Sequence, residues 1–312
     1  MVSVIVPLYN AERWVRACLQ SVALQTVEIE IIVVDDGSTD KGASIVAEEF
    51  RFARLIRTPN QGASRARSVG TAAATGTFIQ YLDADDILAP GKIRTQIDAL
   101  SQSGADVAYG DWQRLLENTD GSYTAGEIVS RQMRRDPELE LIDAFWCPPA
   151  AYLFRRSIVD AVGGWNENLP VIQDARFTLD CALRGARFVY CPSVMAHYRE
   201  HRSGSLSRRD PVAFTRDIFR NACEVEQWWL SHGGINDDRK RALISCYGYV
   251  ARASFAKDKS TFDLAYERLT ALVNPYIPAG PPHLAMASRV IGYPRAERVA
   301  LAYRKARAIL AR

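Results

Sequence analysis

Three carboxylates fall within four positions at Asp83-Ala84-Asp85-Asp86. Acids this close repel one another unless positive charge lies among them. A hard divalent cation, Mg²⁺ or Mn²⁺, suits such a group because it prefers oxygen donors. The same residues also suit a polar strand-to-helix turn with Asp86 near a cap, and the tetrad alone favours neither reading. A second acidic run stands at Asp35-Asp36-Gly37-Ser38-Thr39-Asp40, and a polar break at Tyr9-Asn10 follows an apolar segment.

The elements that must carry these residues alternate. Residues 2–8 are a β-branched strand, and Asn10 is placed to cap a helix striped by Trp14, Cys18 and Val22. A strand over 29–34, a helix over 41–50, a strand over 54–57 and a helix over 63–74 follow. The strand 78–82 then delivers the acidic tetrad, and Pro90 opens the next helix. This alternation predicts an α/β fold with a largely parallel sheet and helices on both faces. Ligands bind outside the carboxyl ends of such strands, and Pro7-Tyr9, Asp35-Asp36 and Asp83-Asp85 all fall on that edge. Downstream, the pattern predicts a strand over 106–112, a hairpin tip at 118–122, a strand over 151–154 and helices over 156–162 and 174–184. A strand over 188–190 and a polar loop over 197–209 complete the domain. Beyond Asp210 the pattern turns helical, over 211–232, 238–257, 261–274 and 295–311, with prolines 275, 278, 281 and 282 between the last two. The expected division is an α/β domain, 1–209, and a helical region, 210–312.

The totals narrow the class. A net charge of +3 over 312 residues is too small to argue for nucleic acid. Six scattered cysteines without a C-x-x-C pair favour reduced, buried thiols. The amino terminus lacks a signal-peptide pattern, and no apolar run approaches the roughly 20 residues that cross a bilayer. A cytoplasmic protein is expected. Residues 295–312 hold six basic residues and one acid, with Val299, Tyr303, Ala306 and Leu310 at helical spacing. That helix suits a packed helix with a solvated basic face, or peripheral contact with an anionic membrane.

Several motifs, in joint order and spacing, carry a family resemblance. They are Val4-Ile5-Val6-Pro7-Leu8-Tyr9-Asn10, Val33-Val34-Asp35-Asp36-Gly37-Ser38-Thr39-Asp40, Asn60-Gln61-Gly62-Ala63-Ser64-Arg65-Ala66-Arg67 and the acidic tetrad, followed by Gly163-Gly164-Trp165-Asn166-Glu167 and the stretch from Tyr198 to Ser207. Over about residues 1–207 the chain resembles the GT-A-fold glycosyltransferases of family 2, the inverting group that builds bacterial surface polysaccharides. The resemblance implies transfer of a hexose or N-acetylhexosamine from a nucleotide-diphosphate donor, UDP by family habit, to a saccharide or lipid-linked acceptor, with Mn²⁺ or Mg²⁺ as cofactor. It implies Asp85 as metal ligand, with His201 rather than His197 completing the site. Asp83 would meet the ribose, with Ala84 beside it, and Asp36 would accept from the base or ribose. Pro7 and Tyr9 would line the base pocket, and Arg67 would stand near the nucleotide or its phosphates. Arg199 and Ser205 would belong to a loop over the diphosphate. Inversion needs one general base. The matching position is Asp174, where the family's usual Glu-Asp is here Gln173-Asp174, and the departure removes a negative neighbour. Trp165 would offer a ring to the acceptor sugar. The bland alternatives are helix support for Asp174 and core packing for Trp165. A rival function is a non-catalytic nucleotide-sugar-binding scaffold of a polysaccharide assembly complex, which would need no base at Asp174.

Overall fold

The computed structural model describes residues 1–143, 145–202 and 206–310. It divides into two compact units, Met1–Arg209 and Asp210–Arg312.

The first unit opens with β1 (Val2–Leu8), α1 (Val15–Ala23), β2 (Ile29–Asp36), α2 (Gly42–Glu49), β3 (Arg54–Thr58), α3 (Ala63–Ala73) and β4 (Phe78–Tyr81). β1 is buried at all but Pro7, as expected of a β-branched strand covered on both faces. It pairs in parallel with β2 and β4, and β2 with β3. Ile5 aligns with Ile32 and Tyr81, so three strands end on one edge. The scarcity of bulk in α3 has a packing cause: a Cβ on Gly70 would stand 2.4 Å from the Ile5 side chain. Small residues let this helix lie close on β1 and bring Arg67 to the sheet edge.

The chain continues through β5 (Ile87–Leu88), α4 (Lys92–Ser103), β6 (Val107–Glu117), β7 (Tyr123–Val129), α5 (Pro137–Asp143), a 3-10 turn at Pro149–Ala151, β8 (Tyr152–Arg155), α6 (Arg156–Val162), α7 (Gln173–Leu183), β9 (Phe188–Glu200) and α8 (Leu206–Arg209). Among the described residues the sheet has nine strands, ordered β3-β2-β1-β4-β8-β6-β9-β5, with β7 on β6. It is parallel through β4 and mixed beyond, because β8 runs antiparallel between β4 and β6.

Three local expectations are corrected. The polar loop over 197–209 is strand as far as Glu200, because β9 stays paired with β6 along its length. Its turn-like Pro192-Ser193 is bulged out where Gly110 and Asp111 oppose Cys191 and Val194. Asn10 does not cap α1, which starts after Trp14. Its φ is +48°, and its Oδ1 accepts from Thr39 N at 2.8 Å, tying β1 to the loop after β2. Pro90 precedes a left-handed Gly91, and α4 starts at Lys92.

Lys92 is buried, and its Nζ donates to Gln80 Oε1 and to Tyr152 O, both neutral. Burial holds its pKa well below the usual lysine value. Unfolded lysine keeps its proton to about pH 10.4. Between the two values the unfolded chain binds more protons, so this group makes stability rise with pH. Relative to Lys92→Met, the parent should therefore gain unfolding free energy from about pH 7 to 10. Urea titrations check this, and a flat or falling difference contradicts it.

The second unit holds α9 (Pro211–Ser231), α10 (Asp237–Ser254), α11 (Lys259–Leu272), α12 (Pro282–Ile291) and α13 (Tyr293–Leu310). Asp210, Asn236 and Asp258 cap the first three through side-chain oxygens. Val250, Phe262, Ala265, Leu284 and Tyr293 form its core. The proline-rich separator conceals α12: Pro282 is its first residue, where a missing N–H costs nothing. Among the described residues, no helix is long and apolar enough to cross a membrane.

Candidate active site

β4 delivers the acids. Leu82 N continues the ladder to Ile5 O at 3.0 Å, and Asp86 N closes the turn onto Asp83 O at 2.9 Å. Asp86 is buried, and its Oδ1 accepts Arg199 N at 3.0 Å. Burial, then the charges of Asp85 and Asp83, hold its carboxyl well above the usual range. Asp86 thus joins the tetrad to β9. Ala84 is buried between the outer acids.

Asp85 projects toward β9 instead. Its Oδ2 lies 2.8 Å from His201 Nε2. Two ligands of one Mg²⁺ or Mn²⁺ ion at right angles, each about 2.1 Å from it, stand about 3 Å apart. The pair therefore fits as two donors of one cation. Among the described residues no group of three or more His, Cys, Asp or Glu converges. Two protein donors suit an ion that completes its shell with water and substrate phosphates. His201 Nδ1 is 2.9 Å from the Tyr123 hydroxyl, which accepts from Trp14 Nε1 at 3.0 Å. The imidazole lies 4.6 Å from the Trp14 ring. Such partners orient a ligand histidine. His197 takes no part in this pair. It lies opposite Ile87 in the β5–β9 ladder, and burial, then Arg199, lower its pKa.

Arg199 supports the acidic turn. It is buried, donates to Asp85 O, and lies 5.2 Å over the Tyr123 ring. It braces the acidic turn from β9 through Nη1. Ser205 lies outside the described residues.

Arg67 is engaged as well. Its guanidinium is buried: Nη2 pairs with Asp83 Oδ1, and Nη1 donates to Gln173 Oε1 at 3.1 Å. Ser64 Oγ donates to the same Gln173 oxygen at 2.7 Å. Arg67 thus holds Asp83 in place. Burial raises the Asp83 pKa and the Arg67 charge opposes it. The departure at Gln173 gains a meaning here. A neutral acceptor orients Arg67 without competing with Asp83 for its charge. Arg67→Lys, which loses the fork, should destabilise the protein by about 1–3 kcal/mol. Chemical denaturation checks this, and an unchanged midpoint contradicts it.

Trp165 is not an open platform. It is buried, stacked on Phe177 at 4.3 Å and 8°, with the Arg67 guanidinium 4.6 Å over its ring. Asp36 is also engaged: Gln61 N and Gly62 N donate to its two oxygens at 2.9 and 2.8 Å, and it is buried. It holds the loop before α3. Pro7 and Tyr9 end β1 on the same edge, and Tyr9 is 52% exposed, available to a ligand.

Asp174 sits in the first turn of α7, partly exposed, where a carboxylate is favoured. Its Oδ2 accepts from Trp146 Nε1 at 2.7 Å. Tyr198 reports on its surroundings. Burial first, and then the charges of Asp86, Asp83, Asp174 and Asp85, push that phenol's pKa up. Arg67 ties the two acidic segments together, since it bonds both Asp83 and Gln173, the residue before Asp174. The structure brings Asp83, Asp85, Asp174 and His201 to one edge, with Arg67 and Arg199 beneath them as braces. Sequence reasoning missed Trp146, Tyr123 and the placement of Trp14. Their only linear signal was aromatic character, which core packing explains equally well.

Comparison with known proteins agrees. Residues 3–163 match the family model for glycosyl transferase family 2. The glycosyltransferase GlyG of Streptococcus pneumoniae serotype 4 is 33% identical over 238 residues, covering 70% of this chain and 77% of GlyG. YibD of Escherichia coli K12, an uncharacterized glycosyltransferase, is 40% identical over 116 residues, 35% of this chain. EpsJ of Bacillus subtilis is 28% identical over 218 residues, 64% of this chain. The matches span 34% of YibD and 61% of EpsJ. Two solved structures share the fold. Staphylococcus aureus TarS 1–349 in complex with UDP-GlcNAc has a TM-score of 0.66 at 19% identity, covering 98% of this chain and 92% of that one. The mannosyltransferase PcManGT of Pyrobaculum calidifontis, in complex with GDP-Man and Mn²⁺, has a TM-score of 0.54 at 18% identity, covering 96% and 86%.

Proposed function

The chain belongs to the family 2 glycosyltransferases and has their GT-A fold; from that premise we propose that it transfers a sugar, with inversion, from a UDP-sugar to a hydroxyl of a saccharide or lipid-linked acceptor. The observation that carries this reading is the Asp85–His201 pair beside Asp83, with Arg67 joining Asp83 to Gln173, the residue before Asp174. The binding of UDP-GlcNAc by TarS supports the choice of nucleotide.

The residues divide the work. Asp174 takes the proton of the acceptor hydroxyl. The acceptor oxygen bonds to the anomeric carbon as that carbon's bond to the diphosphate breaks from the opposite side. Asp85 and His201 would hold Mn²⁺ or Mg²⁺, which when bound neutralises charge growing on the leaving diphosphate. Asp83, fixed by Arg67, presents its remaining acceptor positions to the ribose. Tyr9 and Pro7 line the side where the base lies. A panel of nucleotide sugars incubated with Mn²⁺ tests the reading. Release of UDP from one of them is expected, and no nucleotide release from any of them contradicts it.

The helical unit supports a peripheral role at the cytoplasmic face of a membrane. Met286, Val290, Val299 and Tyr303 are exposed on α12 and α13. Arg289, Arg295 and Arg298 are exposed too. The acid of this stretch, Glu297, is fully buried and paired with Arg304 at 2.6 Å. An apolar surface flanked by arginines suits anionic lipid. The protein should co-sediment with phosphatidylglycerol vesicles and not with phosphatidylcholine vesicles, and Met286→Glu with Val290→Glu should abolish the binding. Equal recovery with both lipids contradicts it.

A further inference from the structure

We propose that Trp146 is the positioning residue for Asp174, and that with Tyr198 it walls the space where an acceptor hydroxyl meets that carboxylate. The inference rests on Asp174 as base and names the residue that aims it.

A carboxylate in the first turn of a helix can rotate about its side-chain torsions, and a base must hold one oxygen toward its proton. The Trp146 indole supplies the restraint by donating Nε1–H to Oδ2 at 2.7 Å. With Oδ2 occupied, Oδ1 is the oxygen that receives the acceptor proton. The chemistry of the donor suits the task. Indole N–H is donor-only and uncharged. An arginine there would add a full charge favouring the ionised acid and so weaken the base, whereas an indole orients it without that charge.

The indole is itself held. It meets Trp112 edge-on at 5.8 Å and 87°, and Tyr198 at 5.5 Å and 77°. Trp112 is on β6 and Tyr198 on β9, two paired strands, so the clamp stands on the sheet. The segment around Trp146 is pinned on both sides. Phe145 is buried edge-on against Tyr109 at 5.5 Å, and Cys147 is buried. Trp146 and Tyr198 themselves stay partly exposed beside Asp174. They occupy the place sought for Trp165, which Phe177 and Arg67 already cover. A ring of this kind suits the apolar face of a sugar.

Trp146→Phe keeps the ring and removes the donor. Two readouts test the proposal. The chain has six tryptophans, and the ¹⁵N–¹H indole resonance missing from Trp146→Phe identifies Trp146. In Asp174→Asn that resonance should move upfield, since the donor then faces a neutral acceptor; an unmoved resonance overturns the contact. The second readout is turnover of UDP-GlcNAc, or of whichever sugar nucleotide the parent consumes, with Mn²⁺. Trp146→Phe should lower kcat about 10- to 100-fold, as loss of an orienting partner does, with KM for the donor and melting temperature unchanged. Parental kcat overturns the proposal, and so does loss of donor binding together with stability, which marks a merely structural role. Undiminished turnover in Asp174→Asn refutes the base itself, an outcome separate from failure of the Trp146 contact.

Discussion

Asp174→Asn is expected to lower sugar transfer about 10²- to 10⁴-fold, the range that general-base catalysis supplies, while leaving affinity for UDP with Mn²⁺ within about twofold of the parent. Asparagine has nearly the same shape and can still accept the Trp146 indole, but it cannot take a proton. The helix loses a favourable charge at its amino end, a cost of about 0.3–1 kcal/mol, too little to unfold the domain. The loss should fall on kcat with KM unmoved, because the proton transfers in the transition state and not on binding. Calorimetric titration with UDP and Mn²⁺, paired with initial rates, checks both halves. Unchanged turnover removes Asp174 from the mechanism. A protein that only binds nucleotide sugars gives a different result, with binding in parent and variant alike and turnover in neither.

Asp85→Asn is expected to abolish the dependence of UDP binding on Mn²⁺. In the parent, Mn²⁺ should tighten UDP; in the variant, affinities with and without the ion should coincide. The Asp85 Oδ2–His201 Nε2 pair at 2.8 Å is the basis. An amide oxygen is a poor substitute for a carboxylate beside a divalent ion. Loss of charge stabilisation on the leaving group costs about 10²- to 10³-fold in turnover. His201→Ala should give a smaller loss, since the carboxylate remains. Chelation of the parent with EDTA should reproduce the Asp85→Asn phenotype and be reversed by Mn²⁺. Parental UDP binding that is equal with and without Mn²⁺ contradicts the metal assignment.

Much of the fold was legible because the determinants are local. A β-branched run such as Val2–Leu8 reads as a buried strand, and acids after such runs mark a sheet edge. The alternation that located Asp36, Asp83 and Asp85 on that edge needed no tertiary information. What escaped depends on partners distant in the chain. Arg67 and Arg199 look alike in sequence to any solvated cation, and only the fold shows one beneath Asp83 and the other under the Asp85 backbone. Trp165 reads as a platform until Phe177 is found stacked on it. Trp146 carries no linear signal, because its value lies in an indole N–H that meets a residue 28 positions away. Pro192 and Pro282 hid a continuing strand and a helix start, since proline reads as a break when bulge and first-turn positions are not distinguished.

The central claim is a single in-line displacement with Asp174 as the one base, and the configuration of the product tests it most directly. Proton NMR of the parent consuming an α-linked nucleotide sugar with Mn²⁺, recorded before mutarotation, reads the anomeric proton of the first product formed. The proposed displacement predicts the β-anomer. An α-anomer would contradict it, because retention requires a second nucleophile or front-face departure that one base at Asp174 does not supply.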